Sequence, residues 1–590
     1  MDFKEHYSDT SSSVANAVRL NDLKLLRKLI RDGLAVDVMD NRGWRPLHQV
    51  INSSQAPASI LKEKNSYQLV EELLKHEDTN PSWRSHEGET ALLLACRHNT
   101  GHNAYKTVET LLKYKSDPNI GDNEEETPLL AATRSGHTGC VQLLAKHRAV
   151  DVNRGDCGGW TPLHESTTRG DLVMTQTLIS CGAKMDAKDE CGMTPIFTAA
   201  QHGRLDCLTV LVEEAVRQHM PFLLDEGAND GATPVMIAAQ QGFTHCIDFL
   251  ITAGANPNSY ANDGVNAIHL AAECGHHKTL ELLLQKMDVK DIENQLRPEL
   301  PELKLRNPLH LAISSDRMKC LKVMLKSGFG VNTIDYIFEQ KFSLSMPPPK
   351  YITPLSLAVA LNHWDAARQL VRYGADVNAT HPNAYAPSHC VFSVIDTEYE
   401  SGGDDSDSTR MLDLLCRHGA DVNYCRTESE PNELLHALFQ PTFLQVLLRY
   451  GLDIRTCFKE GYIGRFLSLS FHLVTLHWYH NVLPVVVGVI ERNNVVREHM
   501  TALANHIESI YKMRFGIDEY NDSVWAPVFD LFDRPHSLKE CARFALRRHM
   551  YSKCRRLNHS FPDTIESLDL PISLRHYLLF KEFSVEPILV

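Results

Sequence analysis

One four-residue pattern recurs along this 590-residue chain and constrains its fold more than any other feature. It reads Thr-Pro-Leu-His at Thr161–His164, and altered copies occur at eight other places. The second residue of the copies falls at positions 46, 91, 128, 162, 195, 234, 267, 308 and 354, so two gaps are 33 residues and none is shorter. Self-similarity at a fixed period of roughly 33 residues is typical of solenoids, whose repeats contact only their neighbours. The longer gaps are interpreted as loop insertions.

Each part of the repeat has a mechanical reason. Proline just inside a helix start supplies the right φ and loses no needed donor, and Thr and His side chains can bond neighbouring repeats. Glycine eight residues later suits the turn between two helices, and Gly-Ala at 182 and 254 suits the end of the second helix. The chain is therefore predicted to be an all-α solenoid of about twelve repeats. The turn glycines are Gly136, Gly170, Gly203, Gly242 and Gly275.

The repeats define the predicted domain boundaries. The array is assigned to residues 1–454, beginning with the helix pair in Val14–Val38 and ending with degenerate repeats at Met411–Asn423 and Leu434–Ile454. Because exposed solenoid ends need caps, residues 455–530 are predicted to form a helical capping or linker region before a separate C-terminal domain at 531–590. Insertions are predicted near 52–66, 214–228, 288–305, 334–350 and 394–408.

Charge and cysteine usage exclude several classes of protein. Sixty Lys and Arg stand against 74 Asp and Glu, and a formal net charge of −14 argues against bulk nucleic-acid binding. Fifteen cysteines, an odd number without paired spacing, argue against a disulfide framework. The start, Met1–His6, lacks the apolar core of a signal peptide. A cytoplasmic location is expected, with the nucleus as a second possibility.

One stretch permits a membrane interpretation. Phe466 to Ile490 contains no Asp, Glu, Lys or Arg, but histidines, Asn481 and Pro484 interrupt it. Because the purely aliphatic part is shorter than the ~20 residues that a spanning helix needs, a pair of buried helices is favoured. A membrane-associated protein inserted through this stretch is the alternative.

No convincing catalytic motif is found, so the chain is expected to be no enzyme and to need no cofactor. It lacks a phosphate-binding loop, a Gly-x-Ser-x-Gly elbow and the kinase signatures. Cys274-Gly275-His276-His277 groups possible zinc ligands, but it falls on a turn between helices, where a structural role is favoured over a metal site. The histidines at the fourth motif position are likewise expected to be structural: His48, His164, His269 and His310.

The inner helices and loops of such a stack build a concave binding face. Trp44 and Trp160 precede the motif, near the loop tips, where aromatic side chains can anchor a partner; packing over their own loops is favoured. The acidic loop Asn123–Glu126 could attract a basic partner, although a solvated tip is favoured. Ser406 and Ser408 end an acidic segment that is expected to be a disordered loop, with phosphorylation as the alternative to plain solvation.

The C-terminal segment carries a different pattern. Leu538, Ala542 and Leu546 are four residues apart and form one apolar stripe on a helix. Ser537 with Glu540 fits a capping box, which sets where that helix begins. A helix this short is marginal alone, so its stripe needs a partner. The alternative is a helical cap that packs only on the preceding domain.

This segment resembles the SOCS box (suppressor of cytokine signalling box). The elongin-binding motif that opens the box reads Ser, Thr or Pro, then Leu, three residues, Cys, three residues and an aliphatic residue. Ser537, Leu538 and Leu546 match it, whereas Ala542 stands where Cys is usual. Leu568-Asp569-Leu570-Pro571 resembles the Leu-Pro-aliphatic-Pro element that contacts a cullin, with Asp569 in place of the first proline.

The repeats and the box together resemble the ankyrin repeat and SOCS box family. The resemblance implies a three-helix SOCS box and a non-catalytic substrate-recognition adaptor of a cullin-RING ubiquitin ligase, which holds a protein for ubiquitination and proteasomal degradation. It implies that Ser537, Leu538, Ala542 and Leu546 dock on elongin-C with elongin-B. It also implies that Leu568, Asp569, Leu570 and Pro571 recruit cullin-5 with its RING partner. An ankyrin scaffold that binds partners without recruiting a ligase is the alternative.

Overall fold

The structure, a computed structural model, describes residues 12–53, 66–98, 102–287, 307–336, 351–379 and 406–422, with position 289 and a few positions between 443 and 451. These residues belong to two compact units, the first including everything described up to Met287 and the second everything described from Asn307 onward. Each unit contains paired helices that repeat along the sequence.

In the first unit each repeat contributes two helices. First helices pack on the first helices of the next repeat, and second helices pack on second helices. The bounds are Ser13–Arg19, Leu23–Arg31, Pro46–Ser53, Ser66–Leu74, Ala91–His98, His102–Lys113, Pro128–Arg134, Thr138–Ala145, Pro162–Arg169, Leu172–Ser180, Pro195–Gln201, Leu205–Arg217, Pro234–Gln241, Thr244–Thr252, Ala267–Cys274 and His277–Lys286, with a 3-10 turn at Pro221–Leu224.

The repeated motif fixes where each first helix begins. Every motif copy in the described residues starts a helix at its second position, which is proline in seven copies and alanine in two. The hydroxyl oxygen of Thr127 accepts the amide of Leu130 at 3.2 Å, and Thr194 accepts the amide of Phe197 at the same distance. Such caps satisfy amides that have no partner inside the helix. The predicted helix starts are confirmed.

The turns between paired helices explain the glycine positions. Gly242 adopts a left-handed conformation with φ of 79°, and a β-carbon there would stand 2.5 Å from the imidazole of His276 in the next repeat. That imidazole donates from Nε2 to the carbonyl oxygen of Gln240 at 2.9 Å. A side chain from one repeat thus satisfies a carbonyl group at the open end of the preceding first helix.

Buried histidines join some repeats to the next. In His164, Nδ1 accepts the amide of Thr161 at 3.2 Å while Nε2 donates to the carbonyl oxygen of Met193 at 3.0 Å. His48 has the same arrangement and donates to the carbonyl oxygen of Glu89 at 3.2 Å. One nitrogen must accept while the other donates, so the ring is neutral, and burial lowers the pKa of His48 to about 4. The predicted structural role is confirmed for these histidines.

The core of the first unit lies between its two helical layers. First helices contribute pairs of small residues, such as Ala199 with Ala200 and Ala238 with Ala239, all fully buried. Second helices contribute larger side chains, and each fully buried leucine stabilises the fold by about 1.5–3 kcal/mol. Because these side chains pack between neighbouring repeats, the core continues from one repeat to the next. The fully buried leucines include Leu178, Leu211 and Leu250.

The metal site and the membrane-spanning helix that the sequence raises as possibilities can be checked only within the described ranges. There, no group of His, Cys, Asp and Glu side chains has an arrangement suited to a metal ion, and this includes Cys274–His277. No helix in those ranges is long and apolar enough to cross a membrane. The stretch Phe466–Ile490 lies outside the described residues.

The second unit continues the helical pattern with one addition. Its helices are Pro308–Ser314, Met318–Lys326, Pro354–Ala360, Trp364–Arg372 and Ser406–Arg417. Asp335–Tyr336 and Tyr351–Ile352 form a short antiparallel pair that brackets the predicted insertion near 334–350. His310 donates from Nε2 to the carbonyl oxygen of Ile352 at 3.1 Å, which fixes this pair to the preceding helix. Within the described residues, the all-α prediction is confirmed apart from the four residues of this strand pair.

Two of the predicted insertions contain helix. The loop predicted near 394–408 is wrong at its end, because a helix begins at Ser406 and Ser408 is only 2% exposed. The apolar stripe that begins at Met411 extends the helix backward into the acidic segment. In the insertion near 214–228, the second helix continues to Arg217, and the 3-10 turn that follows buries Leu223.

The depressed pKa of His48 predicts a pH-dependent stability. The unfolded chain takes up a proton near pH 6.5 that the folded ring resists until about pH 4. The contribution of neutral His48 to the free energy of unfolding is therefore fully present above pH 6.5. It falls by up to about 3 kcal/mol as the pH drops toward 4. The variant His48→Gln, which has no titrating group, should lose less stability over this window. Urea unfolding at pH 7, 6, 5 and 4.5 measures the difference, and parallel curves for the two proteins would contradict the assignment.

Candidate partner-binding surface

A loop precedes each first helix, and its turn is closed by its own side chains. These loops are called fingers and comprise residues 39–44, 84–89, 121–126, 155–160, 188–193, 227–232 and 260–265. In the third finger, Oδ1 of Asp122 accepts the amides of Glu124 and Glu126, each at 3.0 Å. Asp156 closes the fourth finger in the same way. A carboxylate with two such bonds holds its turn and keeps its second oxygen for another partner.

Neighbouring fingers are bonded to each other through their backbones. The amide of Asn123 donates to the carbonyl oxygen of Glu87 at 3.1 Å, and the amide of Cys157 donates to that of Glu124 at 3.0 Å. Because each tip is fixed to the next, the exposed side chains of successive fingers form one ordered row. The amides of Glu190, Asn229 and Asn262 continue the series.

Trp160 packs within its own repeat, as the favoured interpretation predicts. Its ring stacks on the His164 imidazole with centroids 5.1 Å apart, and Nε1 donates to Oε2 of Glu165 at 3.1 Å. Trp44 is also half-buried, with the guanidinium of Arg42 4.3 Å from its ring centroid. Each tryptophan keeps part of its surface exposed, so their contact with a partner remains a prediction.

The sequence analysis missed Trp83, which is the most exposed tryptophan of the described residues at 43%. The guanidinium of Arg45 lies 4.0 Å from its ring centroid and is held by Asp37 at 2.7 Å. The available signal was its position, one residue before the second finger. The residue at the same position before the fourth finger is Arg154. Its ring adds an aromatic surface between the first and second fingers.

An arginine cluster lies beneath the second and third fingers. Arg97, at the end of its helix, pairs with Glu89 at 2.7 Å and with Asp122 at 2.6 Å. It also pairs with Glu126, to which its Nε donates at 3.0 Å. The three carboxylates are less than a tenth exposed, so their pairing with Arg97 offsets a large desolvation cost.

The same network continues to the fourth finger. Arg134 pairs with Glu126 at 2.8 Å and with Asp156 at 2.6 Å, while Glu165 lies 3.8 Å from its Nε. Glu126 thus bridges two arginines and is 5% exposed. The predicted solvated loop tip therefore includes Glu124 and Glu125, which are exposed, but not Glu126.

The charges and the burial of the cluster shift the pKa values of Glu89 and Arg97. Burial raises the pKa of Glu89, and the attraction of Arg97 opposes this only in part because Glu87, Asp122 and Glu126 add negative charge nearby. The pKa of Arg97 is raised as well, by hydrogen bonds to Glu126 and Asp122 that outweigh its own burial. The carboxylates thus hold Arg97 charged, while the attraction of Arg97 does not fully offset the burial of Glu89.

The residues predicted to dock elongin and a cullin lie outside the described residues. They are Ser537, Leu538, Ala542, Leu546, Leu568, Asp569, Leu570 and Pro571. Their assignment remains a prediction from the sequence. Among the predicted site residues, the structure therefore describes only Trp44 and Trp160, which belong to separate fingers.

Family comparisons agree with the repeats and the C-terminal segment. The family described as "Ankyrin repeats (3 copies)" matches in overlapping segments from residue 14 to residue 335, and a single ankyrin repeat matches residues 351–382. The SOCS box family matches residues 534–579. The ankyrin matches alone cover more than half of the chain.

Individual proteins with related sequences carry the same two features in their names. Ankyrin repeat and SOCS box protein 3 of Homo sapiens is 33% identical over 209 residues, which is 35% of this chain and 37% of that protein. Ankyrin repeat and SOCS box protein 14 of Mus musculus is 26% identical over 337 residues, covering 54% of this chain and 50% of that protein. The chain thus spans between about a third and half of the length of these relatives.

A solved structure, the crystal structure of the human ASB11 ankyrin repeat domain, aligns with 40% of this chain and 91% of its own, at 22% identity and a TM-score of 0.31. The family matches decide the assignment, because they find ankyrin repeats between residues 14 and 382 and a SOCS box at residues 534–579. The chain belongs to the ankyrin repeat and SOCS box family.

Proposed function

We propose that this chain is the substrate-recognition subunit of a cullin-RING ubiquitin ligase. The observation that carries the proposal is the SOCS box match at residues 534–579, behind an ankyrin array whose matches begin at residue 14. The array supplies a row of mutually bonded fingers for a protein substrate, and the box supplies a separate surface for the ligase. Such a subunit works in the cytoplasm or the nucleus.

In this role the chain acts by proximity and needs no catalytic group of its own. Holding a substrate beside a charged ubiquitin-conjugating enzyme raises the effective concentration of its lysines at the reacting thioester. The fixed fingers matter here because a rigid surface loses little conformational entropy when it binds. The exposed parts of Trp44 and Trp160 would then contact the substrate.

The docking roles rest on the apolar stripe of the predicted C-terminal helix and on the sequence element that follows it. Leu538, Ala542 and Leu546 would enter a groove of elongin-C, with Ser537 capping the helix and elongin-B bound to elongin-C. Leu568, Asp569, Leu570 and Pro571 would contact cullin-5, whose RING partner binds the conjugating enzyme. A scaffold without ligase recruitment is the other candidate, and it would form no stoichiometric complex with elongins B and C.

Leu538→Arg should abolish binding to elongins B and C. The change removes burial worth about 1.5–3 kcal/mol and places an unpaired charge in an apolar groove. Co-purification of the full chain with both elongins measures the effect. The matched control is Leu20→Arg, because Leu20 is 69% exposed in the ankyrin array, and it should co-purify like the wild type. Wild-type yield with Leu538→Arg would show that the docking residue is wrongly assigned.

Substituting both Leu570→Ala and Pro571→Ala should separate the two docking steps. The doubly substituted chain should still bind elongins B and C, because the stripe that begins at Leu538 is intact. Its affinity for cullin-5 should fall by about tenfold or more, since a buried leucine contact is worth on the order of 2 kcal/mol. Titration of the elongin-bound chain with cullin-5 measures this. An unchanged affinity would remove this element from the cullin interface, and a parallel titration with cullin-2 tests the choice of cullin.

A further inference from the structure

The second, third and fourth fingers, with the helix ends beneath them, carry a large excess of negative charge. This surface is called the acidic row and comprises residues 84–89, 121–126 and 155–160 together with Arg97, Arg134 and Glu165. Eight carboxylates stand against three guanidinium groups, which leaves a formal charge of −5. An imbalance of this size on one surface creates a potential that attracts cations and repels anions.

Part of this charge is directly available to a partner. Glu87, Glu124 and Glu125 are exposed at the finger tips. The backbone bond from Asn123 to Glu87 places the tips of the second and third fingers side by side. Their carboxylates therefore belong to one surface whose geometry is fixed before binding.

The arginines of the acidic row are already engaged. Arg97 and Arg134 each face three carboxylates, so their donors are directed into the cluster. Arg84 is exposed, but it donates from Nε to the carbonyl oxygen of Gly88 at 3.0 Å and from Nη2 to Oδ1 of Asn123 at 3.3 Å. All three guanidinium groups of the acidic row are thus already hydrogen-bonded within the chain.

Glu89 provides a second, independent observation that points to a cationic ligand. This residue is 5% exposed, and Oε1 receives the guanidinium of Arg97 at 2.7 Å. Its other oxygen, Oε2, is buried and has no hydrogen-bond partner. A buried carboxylate oxygen that has lost water without gaining a donor is costly, and a donor brought by a ligand would offset that cost.

We infer that the acidic row binds a lysine- and arginine-rich segment of the partner protein, with cationic side chains along Glu87, Glu124 and Glu125 and one directed toward the Glu89–Arg97 cluster. The inference rests on the proposed function in that this segment would belong to the ligase substrate. Complementary charge would steer the encounter and fix the orientation of the bound segment. The half-buried ring of Trp160, at the end of the row, offers a face to which an arginine can add a cation–π contact.

The test compares two triple variants of the full chain with equal changes in net charge. The first replaces the tip carboxylates by Glu87→Gln, Glu124→Gln and Glu125→Gln. The control replaces three exposed carboxylates of second helices, Glu109→Gln, Glu213→Gln and Glu281→Gln. The probe is a fluorescein-labelled synthetic peptide of alternating Lys, Arg, Gly and Ser, and its counterpart has Glu in place of Lys and Arg. Fluorescence anisotropy reports binding.

The basic peptide should bind the wild type and the control variant with affinities equal within about twofold. It should bind the tip variant about tenfold more weakly, because three charge pairs are lost. The acidic peptide should not bind. Equal weakening in both variants, binding of the acidic peptide, or no binding of the basic peptide to the wild type would each overturn the inference. Co-purification with elongins B and C, measured on the same preparations, reports separately on the proposed function.

Discussion

Bonds between neighbouring repeats hold this structure together, since a pair of short helices cannot bury its apolar face alone. Alanine pairs such as Ala199 with Ala200 let first helices approach closely, and leucines of the second helices fill the core beside them. Polar groups also find their partners in the neighbouring repeat. The bond from His164 to the carbonyl oxygen of Met193 spans 29 residues of sequence but joins adjacent repeats. Stability and order along the array therefore depend on each repeat finding its neighbour in the correct register.

The candidate binding surface is a consequence of the same interactions. Finger tips are aligned because the amide of one finger donates to the carbonyl oxygen of the preceding one, as Cys157 does to Glu124. Glu126 then bridges Arg97 and Arg134, so one network spans three repeats. A surface assembled in this way is ordered before any partner arrives. Its specificity lies in the side chains that vary between fingers, while the bonds that position them recur.

The sequence predicts the repeats well because their signals are local. Proline at a helix start, glycine at a turn and histidine at the fourth motif position act within a few residues, and the helix beginning at Pro162 has all three features. The charge network is different, because Arg97 and Glu126 are 29 residues apart and meet only once the register of two repeats is known. The buried position of Ser408 was missed for a related reason. Its acidic neighbours indicate a loop, but the apolar stripe that follows determines the helix.

The central claim is that the chain consists of a rigid surface for a substrate and a separate C-terminal box for the ligase. Hydrogen–deuterium exchange of the full chain, alone and with elongins B and C, tests this division most directly. We expect the elongins to protect amides within residues 534–579 and to leave exchange in the fingers, from residue 39 to residue 265, unchanged. Protection spread over the fingers, or no protection in the C-terminal segment, would contradict it.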